Sequence, residues 1–207
     1  MPRFALNKSS LQKERERLKL LERLLPSLDL KRRQLLLELQ KATTEVAKRE
    51  HELAARQAEI GRQLPMLATE AIDVAGLVRL QKVVIEQENV VGVRLPVLRD
   101  LRFTVAEYSF LAKPAWVDVL ILRLQETITL RLHLQVAQQR VAILAKAVRR
   151  VTQRLNLFEK ILIPQTKQNI KKIQIYLGDA ERAAVVRAKL AKQKRQRLGK
   201  EVEAVGP

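Results

Sequence analysis

The chain has 207 residues, of which 47% are hydrophobic, 30% are charged and only 3% are aromatic. This composition, with six glycines and seven prolines, is typical of long helices packed along narrow apolar stripes and argues against a multilayer domain. The chain has no cysteine, which excludes disulfides and thiolate metal sites. Its formal net charge of +18 predicts attraction to an acidic partner, which is nucleic acid, anionic lipid or an acidic protein surface.

Leucines near the N-terminus recur at alternating steps of three and four residues, which is the a/d pattern of a coiled coil. The pattern predicts a helix over about residues 9–63, with Ser9 or Ser10 as its N-cap. Pro26 lies inside this helix and predicts a kink or break near Leu25. The seam of this helix contains Leu18, Leu21, Leu25, Leu28, Leu35, Leu39 and Leu53.

The middle of the chain has a different pattern. Residues 66–80 predict a short helix, and β-branched residues then predict a hairpin with strands at residues 83–86 and 90–95. The predicted turn is at residues 87–89, with Gly92 as a bulge. A lone two-stranded hairpin is marginally stable in water, so we expect it to pack on the helices or on a partner.

The coiled-coil pattern returns in the last segment and predicts a second long helix over about residues 116–198. Beyond Leu162 the spacing is stretched by extra steps of four, which is a stutter, and Pro164 at this point is expected to bend the helix. The seam of this helix contains Val141, Leu144, Val148, Val151, Leu155, Phe158 and Leu162.

The predicted fold is mainly α. The N- and C-terminal helices form a long antiparallel coiled coil, and a short helix with a β-hairpin knob lies in the middle of the chain. The corresponding segments are residues 1–65 for the first helix, 66–114 for the middle region, and 115–207 for the last helix with its basic tail.

Motifs for chemistry are missing. The sequence contains no phosphate-binding loop and no glycine-rich dinucleotide motif. His51 and His133 each lie in a predicted helix without a second ligand at metal-binding spacing, so exposed or half-buried helix residues are the favoured interpretation. The sequence therefore predicts no catalytic, cofactor or metal site and no cofactor.

The end of the last helix is strongly basic and lacks acidic residues over positions 182–200. A nucleic-acid surface would have this charge, but aromatic residues for base stacking and a known binding motif are missing. A solvated helix end is the ordinary explanation, although it leaves the net charge unexplained. The basic tail contains Arg182, Arg187, Lys189, Lys192, Lys194, Arg195 and Arg197.

Three stretches resemble the D subunit of V-type (A/V-type) ATPases. Residues 156–164 resemble the family's N-x-[LF]-E-x-x-x-I-P stretch, residues 89–96 its N-x-x-G-V-x-V-P stretch, and residues 30–37 its L-K-x-K-x-x-x-L run. The chain departs from the family at Pro26, where glycine is usual, and at Ala183 and Ala184, where bulky aromatics are frequent. The matching residues are Asn156, Glu159, Ile163 and Pro164, then Asn89, Gly92 and Pro96, and finally Leu30, Lys31, Arg33 and Leu37.

The resemblance implies a non-catalytic central rotor shaft of a proton- or sodium-translocating ATPase or ATP synthase. Such a shaft transmits torque between the hexamer of catalytic A and B subunits and the membrane proteolipid ring. The implied partners are these subunits, the small F subunit of the stalk and the subunit that caps the ring, with the basic tail facing the hexamer.

The resemblance implies that the chain binds no nucleic acid and does not insert into the membrane. The sequence agrees on the second point, because no stretch approaches the roughly 18 apolar residues that span a bilayer. A cytoplasmic protein, peripheral at the inner face of the cell membrane, is expected. The alternative is a basic coiled-coil protein that binds nucleic acid or acts as a scaffold.

Overall fold

The computed structural model describes residues 5–65, 76–106, 114 and 116–203, with side chains up to residue 196. In chain order it contains α1 (Lys8–Gln63), β1 (Val78–Val90), β2 (Val93–Val105), α2 (Trp116–Leu157), a π-helical turn (Phe158–Leu162) and α3 (Ile163–Glu203). The prediction of a mainly helical fold with long terminal helices and a hairpin in the middle is confirmed. The chain forms two compact units, one from Met1–Asp29 with Gln153–Pro207 and one from Leu30–Thr152.

Helix α1 begins one residue earlier than predicted, and its cap differs. Asn7 is the N-cap, because its side-chain oxygen Oδ1 accepts a 2.7 Å hydrogen bond from the backbone N–H of Ser10. The predicted cap at Ser9 or Ser10 is therefore wrong, and both serines lie in the first turn of the helix.

Of the kink or break predicted near Leu25, the break does not occur, since α1 is helical on both sides of Pro26. Proline removes one backbone donor from a helix, but the neighbouring turns keep their bonds in this long helix. The Ser27 hydroxyl donates a 2.8 Å bond to the carbonyl oxygen of Leu24, so Ser27 is bonded as an interior helix residue and does not cap a new helix.

The hairpin is longer than predicted, and its turn lies further along the chain. The strands pair antiparallel from Val78 with Val105 to Val90 with Val93, so the turn consists of Val91 and Gly92. Both have positive φ angles, 53° and 75°, as a type I′ turn requires. The predicted turn at residues 87–89 is wrong, because these polar residues lie in β1, where their side chains are exposed.

Two irregularities interrupt the strand pairing, between Leu80 and Lys82 and between Val84 and Ile85. Neither irregularity is at Gly92, which lies in the turn, so the predicted bulge at Gly92 is wrong. Of the predicted helix over residues 66–80, positions 78–80 belong to β1, and residues 66–75 lie outside the described residues.

The core of the unit Leu30–Thr152 joins three elements. Leu35 of α1, Leu95 of β2 and Leu144 of α2 are each at most 1% exposed and form one cluster with Val151. Helices α1 and α2 run antiparallel in this unit, because Glu50 bonds Gln138 at 3.4 Å and Arg56 pairs with Glu126 at 3.7 Å. A second cluster holds the open end of the hairpin, where Leu77 packs with Val117 and Ile121 of α2.

In the other unit, the first part of α1 packs against α3. Leu21 and Ile173 are buried, and Lys167 lies 3.1 Å from Glu22. A shallow groove between the helices brings Leu11 near Leu177. Lower numbers on α1 therefore match higher numbers on α3, so these helices are also antiparallel.

Candidate functional surfaces

The seam residues of both helices lie on the protected side of each helix. Leu21, Leu35, Leu144, Val151 and Leu155 are buried, whereas Leu30 and Leu37, which lie outside the seam, are 58% and 59% exposed. The difference follows from the helical period, which places every third or fourth residue on one face. The half-buried seam residues are Leu18, Leu25, Leu28, Leu39, Leu53, Val141, Val148, Phe158 and Leu162.

The motif residues of the hairpin have backbone roles. Gly92 adopts a positive φ, which glycine accepts without strain. Pro96 pairs with Gln87 inside β2, and a missing N–H is tolerated there because both strands of a two-stranded sheet are edge strands. Asn89 is exposed on β1 and pairs with Arg94.

Val91 occupies a conformation that β-branched residues rarely adopt. Its side chain packs against the cluster of Leu35, Leu95 and Leu144, and this burial offsets the backbone strain. Sequence reasoning expected the hairpin to pack on the helices or on a partner, but it misplaced this turn and did not identify Leu95 as a core residue. The alternation of apolar residues at Val93, Leu95 and Val97 was the available signal.

The motif residues near the end of α2 surround the π-helical turn. Glu159 lies inside the turn, Ile163 and Pro164 directly follow it, and Asn156 lies two residues before it. Asn156, Glu159 and Pro164 are exposed, and Ile163 is half-buried. Their common feature is their position in or beside the irregular helical turn.

The basic tail is a helix in which every described side chain from residue 179 to residue 196 is exposed. Arg182 lies 3.6 Å from Asp179, and the Nε of Arg187 donates a 3.2 Å bond to the Ala183 carbonyl oxygen. Arg197 lies in α3, but its side chain is outside the described residues. The other exposed cations of the tail are Lys189, Lys192, Lys194 and Arg195.

A cleft of about 420 Å³ opens between α1, α2 and β2 in the unit Leu30–Thr152. Its floor is apolar and includes Leu95 and Leu144, and Glu45 and Arg49 lie at its rim, paired at 2.8 Å. Burial lowers the pKa of His133 in this cleft from its ordinary value of 6.5; the Arg49 guanidinium lowers it further, and Glu45 opposes the shift.

Within the described part of the chain, no group of three or more His, Cys, Asp or Glu side chains could hold a metal ion. His51 is exposed on α1 and His133 is half-buried on α2. No helix among the described residues is long and apolar enough to cross a membrane.

Each unit contains an antiparallel helix pair, one unit adds a hairpin packed on both helices, and the described end of α3 is basic. A sequence model of the ATP synthase D subunit family matches residues 10–193. The chain therefore belongs to the ATP synthase D subunit family, whose members are subunits of rotary ATPases.

Individual relatives place it within the V-type branch of that family. It is 34% identical to the V-type ATP synthase D subunit of Borreliella burgdorferi over 93% of this chain and 95% of that protein. It is 36% identical to the V-type ATP synthase D subunit of Chlamydia muridarum, covering 92% and 95% of the two chains. The corresponding D subunit of Chlamydia caviae is 33% identical over 96% of each chain.

Proposed function

We propose that this chain is the central rotor shaft of a V-type ATPase or ATP synthase and transmits torque between the catalytic hexamer and the ion-translocating membrane ring. The observation that carries this proposal is the family match, which extends over both long helices and the hairpin. Rotor function needs a slender body that keeps its form under load. Antiparallel helices joined by buried leucines supply that stiffness, because close packing resists deformation.

The chain acts without catalysis of its own. ATP chemistry belongs to the A and B subunits, which form the hexamer around the shaft, and ion movement belongs to the proteolipid ring. The moved ion is H⁺ or Na⁺. The complex holds this subunit at the inner face of the cell membrane.

The basic tail is the part of the shaft that faces the hexamer. Its cations are exposed around the whole helix, so it can attract an acidic or polar lining at every angle of rotation. Exposed ion pairs contribute only about 0.2–1 kcal/mol each, and contacts of this strength retain a turning helix without fixing it in one orientation. The small F subunit and the subunit that caps the ring bind elsewhere on the shaft, toward the membrane.

Co-purification with this chain as the bait tests the assembly. Retention of the A, B, F and capping subunits in stoichiometric amounts is the expected result. Isolation of the chain with nucleic acid and without those subunits would refute the rotor role, and steep loss of DNA or RNA binding with rising salt would then support the alternative.

A charge substitution tests the tail within the assembled complex. Replacing Lys189, Lys192 and Arg195 with glutamine should leave the melting temperature unchanged and lower the ion transport obtained per ATP hydrolysed. The matched control replaces three exposed cations of α2, Lys146, Arg149 and Arg150, and should keep full coupling. If both variants transport the same number of ions per ATP hydrolysed, the basic tail has no role in transmitting torque.

A further inference from the structure

The half of the hairpin that is remote from the turn, residues 78–85 of β1 and 98–105 of β2, has a different character on each of its two faces. Neighbouring residues of a strand point to opposite faces of a sheet, and directly paired residues point to the same face. Three successive apolar pairs share one face, which we call the apolar ladder. The pairs are Leu80 with Phe103, Val83 with Leu101, and Ile85 with Leu98.

Two single-residue bulges keep the apolar ladder on one face. Residues three positions apart in a regular strand point to opposite faces. Leu80 and Val83 are three positions apart, but Gln81 between them is an extra residue without a partner in the pairing register. On β2 the corresponding extra residue is Arg99. Because each bulge adds one residue, the next apolar side chain of the strand returns to the ladder face.

The β1 side of the apolar ladder is exposed. Leu80 is 40% exposed, Val83 36% and Ile85 52%, and their three partners on β2 are half-buried. The opposite face of this half of the hairpin bears exposed polar side chains, including Lys82 and Thr104. One apolar and one polar face are typical of an antiparallel sheet that packs on another element. The ladder therefore has the composition of a packed face, and exposed apolar surface of this kind marks an interaction site.

The acidic residues of the hairpin lie away from the ladder. All three are on the opposite face, where each is paired with an arginine. The pairs are Glu86 with Arg99 at 2.8 Å, Asp100 with Arg102 at 3.4 Å, and Glu88 with Arg140 of α2 at 3.6 Å.

The charges left without a partner on the hairpin are positive. Arg94 is the one charged residue on the ladder face of the hairpin. Arg79 and Lys82 directly precede Leu80 and Val83 in the chain, so their charges act on whatever covers the ladder. No side chain in the described part of the chain forms an ion pair with these three cations. A partner with carboxylates beside its apolar surface is therefore electrostatically complementary to the ladder.

The geometry of the ladder suits a helix better than an added strand. The bulges at Gln81 and Arg99 break the regular row of backbone N–H and C=O groups that an added strand would need. Five residue steps separate Leu80 from Ile85, which makes the ladder about 16 Å long at roughly 3.3 Å per residue. This length corresponds to about three turns of an α-helix, and an apolar stripe of three or four side chains covers that distance.

We propose that the apolar ladder docks an amphipathic helix of another protein chain. The apolar stripe of that helix covers Leu80, Val83 and Ile85, and its flanking Asp or Glu side chains meet the unpaired cations of the hairpin. The hairpin acts as a docking arm, which the packing of Leu95 on α1 and α2 holds in place. The inference names the chemistry of one partner and does not depend on the rotor role.

Photo-cross-linking of the full chain in its native cell tests the docking site. A benzophenone amino acid replaces Val83 in the ladder, and in the matched control it replaces Thr104, an exposed residue on the opposite face. Irradiation should give one main product from position 83 and no such product from position 104. The cross-linked peptide should belong to another chain and have apolar residues at helical spacing with Asp or Glu beside them.

The products of this experiment separate the docking inference from the proposed rotor role. A cross-link to lipid, to nucleic acid, to a second copy of this chain or to another segment of it refutes the docking site. Equal products from both positions, or a peptide without helical spacing, refute it too. An acidic amphipathic helix of a rotary ATPase subunit supports both ideas, whereas such a helix of an unrelated protein supports the docking site and counts against the rotor.

Charge reversal tests the acidic character of the partner. Arg79→Glu with Lys82→Glu should lower the cross-linking yield from position 83 about five-fold, because two weak attractions become repulsions. The matched control, Lys146→Glu with Arg149→Glu on α2, should leave the yield within about two-fold. All four side chains are exposed, so an unchanged melting temperature shows that folding is intact in both variants. Equal yields would refute an acidic partner.

Discussion

The hairpin-covered part of the helices and the basic tail are both helical, but their side chains have opposite environments. Leu35, Leu95 and Leu144 lose nearly all contact with water where α1, β2 and α2 meet. In the tail, Val185 and Leu190 are 55% and 59% exposed on the same kind of helix. Helix propensity alone is a weak source of stability, so the covered part stabilises the fold, whereas the tail leaves its apolar and basic side chains exposed.

The test with the largest expected change in stability compares two leucines. Leu144→Ala removes a side chain that is 1% exposed and should lower the free energy of unfolding by about 2–5 kcal/mol. Leu190→Ala in the tail removes a side chain that is 59% exposed and should change it by less than about 0.5 kcal/mol. Chemical denaturation measures both, and equal losses would contradict the division between a buried core and an exposed tail.

A second comparison separates the inner and outer sides of the hairpin. Leu95 is 1% exposed, and Ile85 on the partner strand is 52% exposed. Leu95→Ala should cost about 2–4 kcal/mol because it opens a cavity against both helices, whereas Ile85→Ala should cost less than about 1 kcal/mol. If Ile85→Ala proves the more damaging change, the hairpin packs by its other face.

Glycine substitutions sharpen the contrast between turn and helix. Gly92→Ala should destabilise by about 1–2 kcal/mol, because its φ of 75° is costly for an L-residue and its new Cβ would lie 3.2 Å from Lys31 Nζ. Gly61→Ala, in a helix with nothing within 4 Å of the new Cβ, should stabilise by about 0.5–1 kcal/mol. Thermal unfolding measures both changes in stability, which should have opposite signs. If both variants are stabilised or both are destabilised, either the turn conformation of Gly92 or the helical conformation of Gly61 is wrong.

The smallest expected effect is a pH dependence from the cleft. His133 faces Arg49 and Glu45 of α1, Arg140 of α2 and the apolar Val97 and Leu98 of β2. Its lowered pKa means that, as the pH falls below about 6.5, the unfolded chain takes up a proton that the folded chain does not. The free energy of unfolding should therefore decrease as the pH falls through about 6.5, with no further decrease from this group below its folded pKa.

His133→Gln should flatten this part of the pH profile. His51→Gln replaces an exposed histidine of α1 and should leave the dependence in place. If the pH dependence is lost in His51→Gln and kept in His133→Gln, its assignment to His133 is wrong.

The periodic parts of the fold could be predicted from the sequence, whereas the irregular parts could not. The three/four alternation indicated the helices, because a helix repeats the same geometry at each turn. The hairpin turn was misplaced, because polar residues at 87–89 resemble a turn, while Val91 is an unusual turn residue that is tolerated only through its packing on Leu35 and Leu95. The stretched spacing after Leu162 was visible in the sequence, but the π turn at Phe158–Leu162 was not.

Among the functional predictions, the family assignment is confirmed. The roles of the seam, the motif residues and the basic tail remain proposals, as does the division of the chain at residues 65 and 114. These roles depend on partners, and the sequence of one chain specifies the side chains offered to a partner without specifying the partner's surface.

The sequence by itself determined that two long amphipathic helices must share their apolar stripes, since neither can shield its leucines alone, and that the end of the chain is basic. Only the tertiary structure decided that the hairpin packs on α1 and α2 through Leu95, that Val91 and Gly92 form its turn, and that a π-helical turn separates α2 from α3. The physical reason is that periodicity is a local property of the chain. Burial, by contrast, depends on which distant residues are brought together.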